Sequence, residues 1–347
     1  MPKHRIAKLK TFLKRTPADA FLVSPGPNVR YLSGFTGLEC WLLITPRKNI
    51  FIGDFRYKLQ AKKELKNRFE ILMIKTTFNA LWADLLRREN IRSVCFESKM
   101  VSVAGYTKLK MTSGRKVRFI ATSDVIEQQR LIKSTSEIKI IQQAVNITKK
   151  SLRALKPFVK IGQTELFLKN KLEQILKSNG ATKTAFDIIV ASGPNAAMPH
   201  AVTSQRRIKA NEPIIVDAGC SFRGYKSDLT RTFFSGKITQ YTKYYKLLAA
   251  AQDRAIKLIK PNVSIFAIDR AAREVLKTAG IDKYFGHALG HGVGLQVHEA
   301  PSISQHNKQR LKPGMVFTIE PGIYIPGSGG LRIEDMVVVT QKGYKIL

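Results

Sequence analysis

Residues 215–232 read IVDAGCSFRGYKSDLTRT, a stretch in which two segments flank a turn signal and each carries one aspartate. Gly224, near the midpoint, predicts a turn between two strands. A symmetric hairpin places Asp217 directly opposite Asp228, where Cβ atoms lie roughly 4.5–5.5 Å apart and like charges repel. The stretch therefore predicts a hairpin that contains an electrostatic conflict.

A second hairpin with the same conflict lies further along the chain. The turn signal is Pro326-Gly327-Ser328-Gly329-Gly330, and Glu320 and Glu334 are equally distant from its centre. The apolar run Met315–Ile319 before Glu320 predicts a buried strand. Both hairpins thus place a pair of carboxylates against the interior of the protein.

Buried carboxylates without partners are costly, so something must compensate them. Three solutions are open: protonated acids that hydrogen-bond, salt bridges to Arg231 or Arg332, or divalent cations. One pair alone favours an ion-pair site. Two pairs with histidines nearby favour metal, because four carboxylates and two divalent ions form a neutral cluster.

Four of the six histidines fall in segments close to these hairpins in the sequence. They are His200, His287, His291 and His298, whereas His4 and His306 have polar neighbours and are expected on the surface. The glycines of residues 286–294 disfavour a helix there, since each interior glycine costs roughly 1 kcal/mol. An extended glycine-rich segment can approach a ligand or metal closely.

Together these segments resemble the signature blocks of a known family. The blocks are Ile215–Gly219, Gly224–Thr232, His287–Gly294, Thr318–Gly322 and Leu331–Asp335. In this order and spacing they are similar to those of Xaa-Pro peptidases, namely aminopeptidase P and prolidase, of the pita-bread metallopeptidase superfamily. Asn28–Gly37 and Gly53–Tyr57 resemble the creatinase-type N-terminal domain of these enzymes.

The domain organisation expected from the sequence agrees with that resemblance. Up to about residue 125, short strands alternate with helices, which predicts an α/β layer. A capping box at Ser134–Glu137 then starts a long helix, and helices grouped with hairpins follow. We expect an α/β creatinase/prolidase-like N-terminal domain over residues 1–127. An α+β pita-bread metallopeptidase catalytic domain is expected over residues 128–347.

The resemblance also implies roles for individual residues. The implied metal ligands are Asp217, Asp228, His291, Glu320 and Glu334, with Asp228 and Glu334 bridging two ions. His200, His287, His298 and Arg332 are implied to support the ligands or contact substrate. An oxygen-rich set with one imidazole suits Mn²⁺, and Co²⁺ or Zn²⁺ also fits these ligand types.

The implied reaction is hydrolysis of the bond before proline. A metal-bridging hydroxide would attack the carbonyl. Glu320 would shuttle the proton to the prolyl nitrogen, and His298 would donate to the developing oxyanion. The substrates would be proline-containing peptides, either Xaa-Pro dipeptides or longer chains, and the enzyme would be a homodimer. Phe222 and Gln296 stand where the family usually has tyrosine and glutamate, so we expect a hydroxyl near Asp217 and a charge near His298 to be missing.

Composition narrows the remaining classes of protein. The 59 Lys and Arg residues exceed the 25 Asp and Glu residues, giving +34. This excess is spread evenly, with 26 basic and 10 acidic residues up to position 130 and 33 and 15 beyond it. No stacking-aromatic motif accompanies it, so nucleic acid is not the favoured partner.

No apolar run reaches the roughly 18 residues of a membrane helix, and the three cysteines lack disulfide or zinc-ribbon spacing. We expect a soluble cytoplasmic protein.

Two alternatives compete with a Xaa-Pro peptidase. A methionine aminopeptidase-like enzyme shares the pita-bread core, but the long N-terminal domain and the Leu331–Asp335 block disfavour it. A non-catalytic pita-bread protein that binds histones or nucleic acid would suit the positive charge, but such relatives usually lose metal ligands.

Overall fold

The computed structural model describes residues 2–237 and 239–347. The chain forms two compact units, one ending at Arg130 and the other beginning at Leu131, three residues beyond the division predicted from the sequence after residue 127. No helix within the described ranges is long and apolar enough to cross a membrane.

The first unit is an α/β layer on one six-stranded sheet of order β4-β3-β2-β1-β5-β6. The strands are β1 (Ala20–Val23), β2 (Trp41–Ile44), β3 (Asn49–Gly53), β4 (Glu70–Met73), β5 (Ser93–Glu97) and β6 (Arg118–Thr122). The helices are α1 (Pro2–Lys14), α2 (Pro27–Ser33), α3 (Lys58–Leu65), α4 (Phe78–Arg88), α5 (Val103–Ser113) and α6 (Glu127–Arg130). The pairs β1/β2 and β2/β3 are antiparallel and the other pairs are parallel.

The alternation of strands and helices predicted for this unit is confirmed, but α1 was not predicted. Its buried side chains Ile6, Leu9 and Leu13 are spaced by three and four residues, which is the period of one helix face. Basic residues between them obscured this short apolar stripe.

The second unit is α+β. Its helices are α7 (Thr135–Leu155), α8 (Glu165–Ser178), α9 (Thr239–Lys257) and α10 (Ile265–Thr278). Its strands are β7 (Lys183–Thr184), β8 (Ile189–Ser192), β9 (Pro213–Ala218), β10 (Cys220–Phe222), β11 (Tyr225–Lys226), β12 (Leu229–Phe234), β13 (Gly290–Gly292), β14 (Glu299–Ile303), β15 (Val316–Ile319), β16 (Gly322–Ile325), β17 (Gly329–Arg332), β18 (Asp335–Val339) and β19 (Tyr344–Ile346). They form sheets of order β12-β9-β8, β11-β10-β7, β14-β13-β15-β18-β19 and β16-β17.

Helix α7 holds the first hairpin in place. The predicted capping box at Ser134 and Glu137 is present, and the Tyr225 hydroxyl donates to Glu137 at 2.8 Å. Further along the helix, the hydroxyls of Thr148 and Ser227 lie 2.8 Å apart. The helix therefore contacts the hairpin at its tip and again beside Asp228.

Candidate metal centre

The first hairpin turns at a different point from the one predicted. Phe222 pairs with Tyr225, so the turn is Arg223-Gly224, and both residues have positive φ (47° and 85°). Asp217 consequently pairs with Thr230 and not with Asp228. The predicted direct opposition is wrong by two residues. Because side chains alternate between faces, a shift of two leaves both aspartates on the same face of the hairpin.

The second hairpin has the predicted register. Ile319 pairs with Asp335 on one side, and Gly322 pairs with Arg332 on the other. The same register on both sides places Glu320 and Glu334 at opposed positions, in a break between the two ladders.

Breaks in the strands coincide with three of the four carboxylates. The sequence is β-rich over 224–234, 315–325 and 331–340, and within these segments the ladders are interrupted at 227–228, 320–321 and 333–334. Pro321 has no N–H to donate, which explains one break. Each break frees the carboxylate-bearing residue from regular pairing.

These carboxylates meet at His291 of β13. His291 Nε2 lies 3.6 Å from Asp228 Oδ2 and 3.3 Å from Glu320 Oε1. One ligand atom from each of Asp228, His291 and Glu334 lies within 4.8 Å of the others, a spacing that could hold a metal ion. Burial lowers the pKa of His291 to about 4, so its imidazole is neutral at pH 7 and can offer a lone pair.

Arg332 organises the other side of the cluster. Its guanidinium donates to Asp217 Oδ2 at 2.7 Å, to the Thr230 hydroxyl at 3.0 Å and to the Tyr324 hydroxyl at 2.8 Å. Thr230 in turn donates to Glu334 Oε2 at 2.8 Å. The second oxygen of Asp217, Oδ1, is buried and has no hydrogen-bond partner among the described residues. An orphaned carboxylate oxygen beside three other acids is consistent with a cation ligand.

The remaining acids are held in an environment that disfavours their charge. Burial, followed by repulsion from neighbouring carboxylates, raises the pKa of Asp228 and of Glu334 well above the ordinary values. Burial raises the pKa of Glu320 to about 7. Arg332 supplies one positive charge against four acids, so divalent cations fit this donor set.

All nine residues singled out from the sequence line one cavity of about 470 Å³: His200, Asp217, Asp228, His287, His291, His298, Glu320, Arg332 and Glu334. His298 lies beside His291, with ring centroids 4.1 Å apart. His287 Nε2 lies 3.0 Å from the Tyr324 hydroxyl. His4 and His306 do not line this cavity.

Phe222, which was expected near Asp217, does not line this cavity. It lies at the hairpin tip, where it lines a separate depression with Ile138 and Lys345. The expectation of a missing hydroxyl near Asp217 is therefore wrong, because Phe222 is remote from that carboxylate along the hairpin.

Sequence reasoning missed two hydroxyls and one ion pair. Tyr324 links Arg332 to His287, and Thr230 links Arg332 to Glu334. Lys133 and Glu299 form a buried ion pair of 2.7 Å next to His298 in the chain. Thr230 lies in the sequence block Gly224–Thr232, but the sequence of that block does not indicate which way the Thr230 side chain points.

The glycines of the histidine segment offer a matched test. A Cβ on Gly290 would overlap the Thr318 carbonyl, whereas one on Gly286 would meet nothing within 4 Å. We expect Gly290→Ala to destabilise the protein by about 1–3 kcal/mol and to weaken metal binding, because His291 must shift. Gly286→Ala should change stability by no more than about 0.5 kcal/mol. Thermal unfolding and metal titration check this, and equal effects of the two substitutions would contradict it.

Comparisons with known proteins agree with this geometry. Residues 139–341 match Metallopeptidase family M24, and residues 5–132 match the Creatinase/Prolidase N-terminal domain. The chain therefore belongs to the M24 metallopeptidases, with a creatinase-type N-terminal domain and a pita-bread catalytic domain.

Several relatives are similar to this chain over nearly its whole length. A Xaa-Pro dipeptidase of Pyrococcus horikoshii is 37% identical over 99% of this chain and 96% of its own length. The solved structure of a Xaa-Pro dipeptidase from Bacillus anthracis is 35% identical in sequence and has a TM-score of 0.96. The match covers 100% of this chain and 97% of that chain. That of an X-Pro aminopeptidase from Thermotoga maritima is 34% identical, with a TM-score of 0.89 and 96% of both chains covered.

Proposed function

We propose that this protein is a dinuclear-metal-dependent peptidase that hydrolyses the Xaa-Pro bond in dipeptides or at the N-terminus of longer peptides. The observation that carries the proposal is the cluster of Asp217, Asp228, Glu320 and Glu334 with His291 in one cavity, with Asp217 Oδ1 buried and unpartnered among the described residues. The similarity to the Xaa-Pro dipeptidase of Pyrococcus horikoshii and to the X-Pro aminopeptidase of Thermotoga maritima supports it.

The residues that would hold the metal are Asp217, Asp228, His291, Glu320 and Glu334. Asp228 and Glu334 are proposed as the bridging ligands of two Mn²⁺ ions. Asp228 and Glu334 are only 4% and 2% exposed, so their negative charge needs a partner inside the protein. When bound, two such ions would supply a hydroxide nucleophile at neutral pH and polarise the scissile carbonyl.

Glu320 and His298 are proposed to move and donate protons. Glu320 would take a proton from the attacking water and deliver it to the prolyl nitrogen. His298 is exposed, lines the cavity beside His291 and would donate to the developing oxyanion. Arg332 would keep Asp217 oriented through their 2.7 Å contact.

The proline ring requires a pocket of its own. An Xaa-Pro bond is a tertiary amide without an N–H, so a peptidase cannot recognise it through that hydrogen. Phe186 and Ile189 line the cavity together with His200 and provide apolar surface for a pyrrolidine ring. We propose that these three residues receive the proline.

A homodimer is also proposed, and sedimentation velocity tests it.

Substrate length and the need for proline are tested with three peptides. With Mn²⁺ present, we expect alanine to be released from Ala-Pro or Ala-Pro-Ala. Ala-Ala-Ala should have a kcat/KM about 100-fold lower, because it leaves the proline pocket unfilled. The ratio of the first two rates decides between a dipeptidase and an aminopeptidase.

Two outcomes would contradict the proposal. Release of N-terminal methionine from peptides without proline, at rates above those for Ala-Pro-Ala, would indicate a methionine aminopeptidase. Salt-dependent RNA binding, with no hydrolysis under Mn²⁺, Co²⁺ or Zn²⁺, would indicate a non-catalytic protein.

A further inference from the structure

The second unit contains another cavity, of about 700 Å³, that the proposed reaction does not use. It is formed by the end of α7, the segment that follows it, strand β12 and helix α9. Arg231 and Phe233 of β12 line it, and their neighbour Thr230 bonds to Glu334 in the metal centre. Thr232 and Phe234 line it as well, so residues from both faces of β12 border the cavity.

Four basic side chains converge on this cavity: Lys149, Arg153, Lys156 and Arg231. Arg231 donates to Asp335 at 2.6 Å, and Lys149 donates to the backbone carbonyl of Leu347. Within residues 2–237 and 239–347, the side chains of Arg153 and Lys156 have neither a hydrogen-bond nor an ion-pair partner, and both residues are exposed. The cavity therefore has an excess of positive charge that its own residues do not balance.

The basic groups are close enough to repel one another. Burial lowers the pKa of Lys149, and the positive charges of Arg231 and Arg153 lower it further, while Asp335 opposes them. A bound anion would relieve this repulsion and would find guanidinium groups suited to a planar or tetrahedral oxyanion.

Apart from Thr232, the rest of the lining is apolar. Leu152, Val159, Phe233, Phe234 and Tyr245 contribute, and the rings of Phe234 and Tyr245 meet edge to face at 5.8 Å. A cavity of this size is in the range that holds small organic ligands. An inorganic anion alone would leave this surface uncovered.

We propose that this cavity binds an organic phosphate, with the phosphate among Lys149, Arg153, Lys156 and Arg231 and an aromatic body against Phe233, Phe234 and Tyr245. Arg231 and Lys149 already contact Asp335 and Leu347, and the additional charges of Arg153 and Lys156 match a dianionic phosphate better than a monoanionic carboxylate. The site is separate from the metal centre and does not depend on the proposed peptidase activity.

Isothermal titration of the full chain tests the proposal, after dialysis against a chelator so that phosphate cannot bind metal. Three probes are compared. Phenyl phosphate has both the phosphate and the aromatic ring, inorganic phosphate has only the phosphate, and phenol has only the aromatic ring. We expect saturable 1:1 binding of phenyl phosphate, weaker binding of inorganic phosphate, and none of phenol.

Charge-reversal variants locate the site. Arg153→Glu with Lys156→Glu should weaken phenyl phosphate binding at least about tenfold, through loss of charge-assisted contacts. The control, Lys139→Glu with Lys150→Glu, reverses two exposed charges of α7 outside this cavity and should change affinity less than about twofold. Unchanged Mn²⁺-dependent peptide hydrolysis in both double variants verifies folding.

The proposal is overturned if phenyl phosphate shows no saturable binding up to about 10 mM. It is equally overturned if both double variants weaken binding alike, because that result indicates attraction to the overall positive charge. Loss of peptidase activity in every form of the protein, with phosphate binding intact, would refute the proposed function and leave this site standing.

Discussion

Asp228→Asn is expected to abolish turnover, with a loss in kcat of at least about 1000-fold, and to lower the metal content of the purified protein. Metal ions stabilise the transition state by several kcal/mol. Each loss of about 1.4 kcal/mol of this stabilisation lowers the rate tenfold. Asp228 lies 3.6 Å from His291 at the centre of the carboxylate cluster. Peptide hydrolysis and elemental analysis measure the two effects.

The same substitution should make the metal-free protein more stable. Without metal, Asp228 is a buried acid that Glu334, Asp217 and Glu320 repel. Asparagine has nearly the same shape and removes that repulsion, and each 1 kcal/mol gained should raise Tm by about 2–4 °C. A higher Tm together with lost activity would show that the variant fails for lack of a ligand and not because it misfolds.

Asp253→Asn is the matched control. It makes the same chemical change on α9, where Asp253 pairs with Lys257 at 2.6 Å and is largely exposed. We expect its activity, metal content and Tm to stay close to those of the wild type. Full activity and full metal content in Asp228→Asn would rule out a bridging role for this residue.

Removal of metal by chelation should have the other large effect. Activity should fall to background and return with Mn²⁺, and the metal-free protein should lose stability as the pH rises. Burial gives the Glu320 carboxyl a pKa of about 7 in the folded chain, against an ordinary value of 4.5. An acid with a raised pKa binds its proton more tightly in the folded state. Its contribution to stability is therefore complete below pH 4.5 and is lost as the pH rises through 7.

The contribution of Glu320 amounts to about 3 kcal/mol, at about 1.4 kcal/mol per pH unit. Denaturant unfolding of the metal-free protein between pH 5 and pH 8 measures it, and Glu320→Gln, which cannot titrate, should reduce the pH dependence by this amount. With Mn²⁺ bound, the cation replaces the proton, so this loss of stability should disappear. Identical pH profiles for wild type and Glu320→Gln, or full activity after chelation, would contradict the account.

The sequence predicted the second hairpin better than the first, for a physical reason. The glycine-rich turn around Gly327 admits one centre, and the register follows from it. In the first hairpin, the turn Arg223-Gly224 is offset from the midpoint of the two aspartates. Because a slip of two residues leaves every side chain on its face, the apolar pattern could not reveal this offset.

The amino-acid sequence by itself determined the α/β unit followed by an α+β unit and the presence of two hairpins that carry carboxylates, because periodicity, turn residues and the rarity of acids are local properties of the chain. The roles expected of the histidines and of Arg332 came from the resemblance of the sequence blocks to a known family. Only the tertiary structure decided the strand breaks at the carboxylates, the contacts of Arg332 with Asp217, Thr230 and Tyr324, and the convergence of Lys149 and Arg231 on the basic cavity. These depend on distances and directions between segments far apart in the chain, which are set only when the helices and sheets pack.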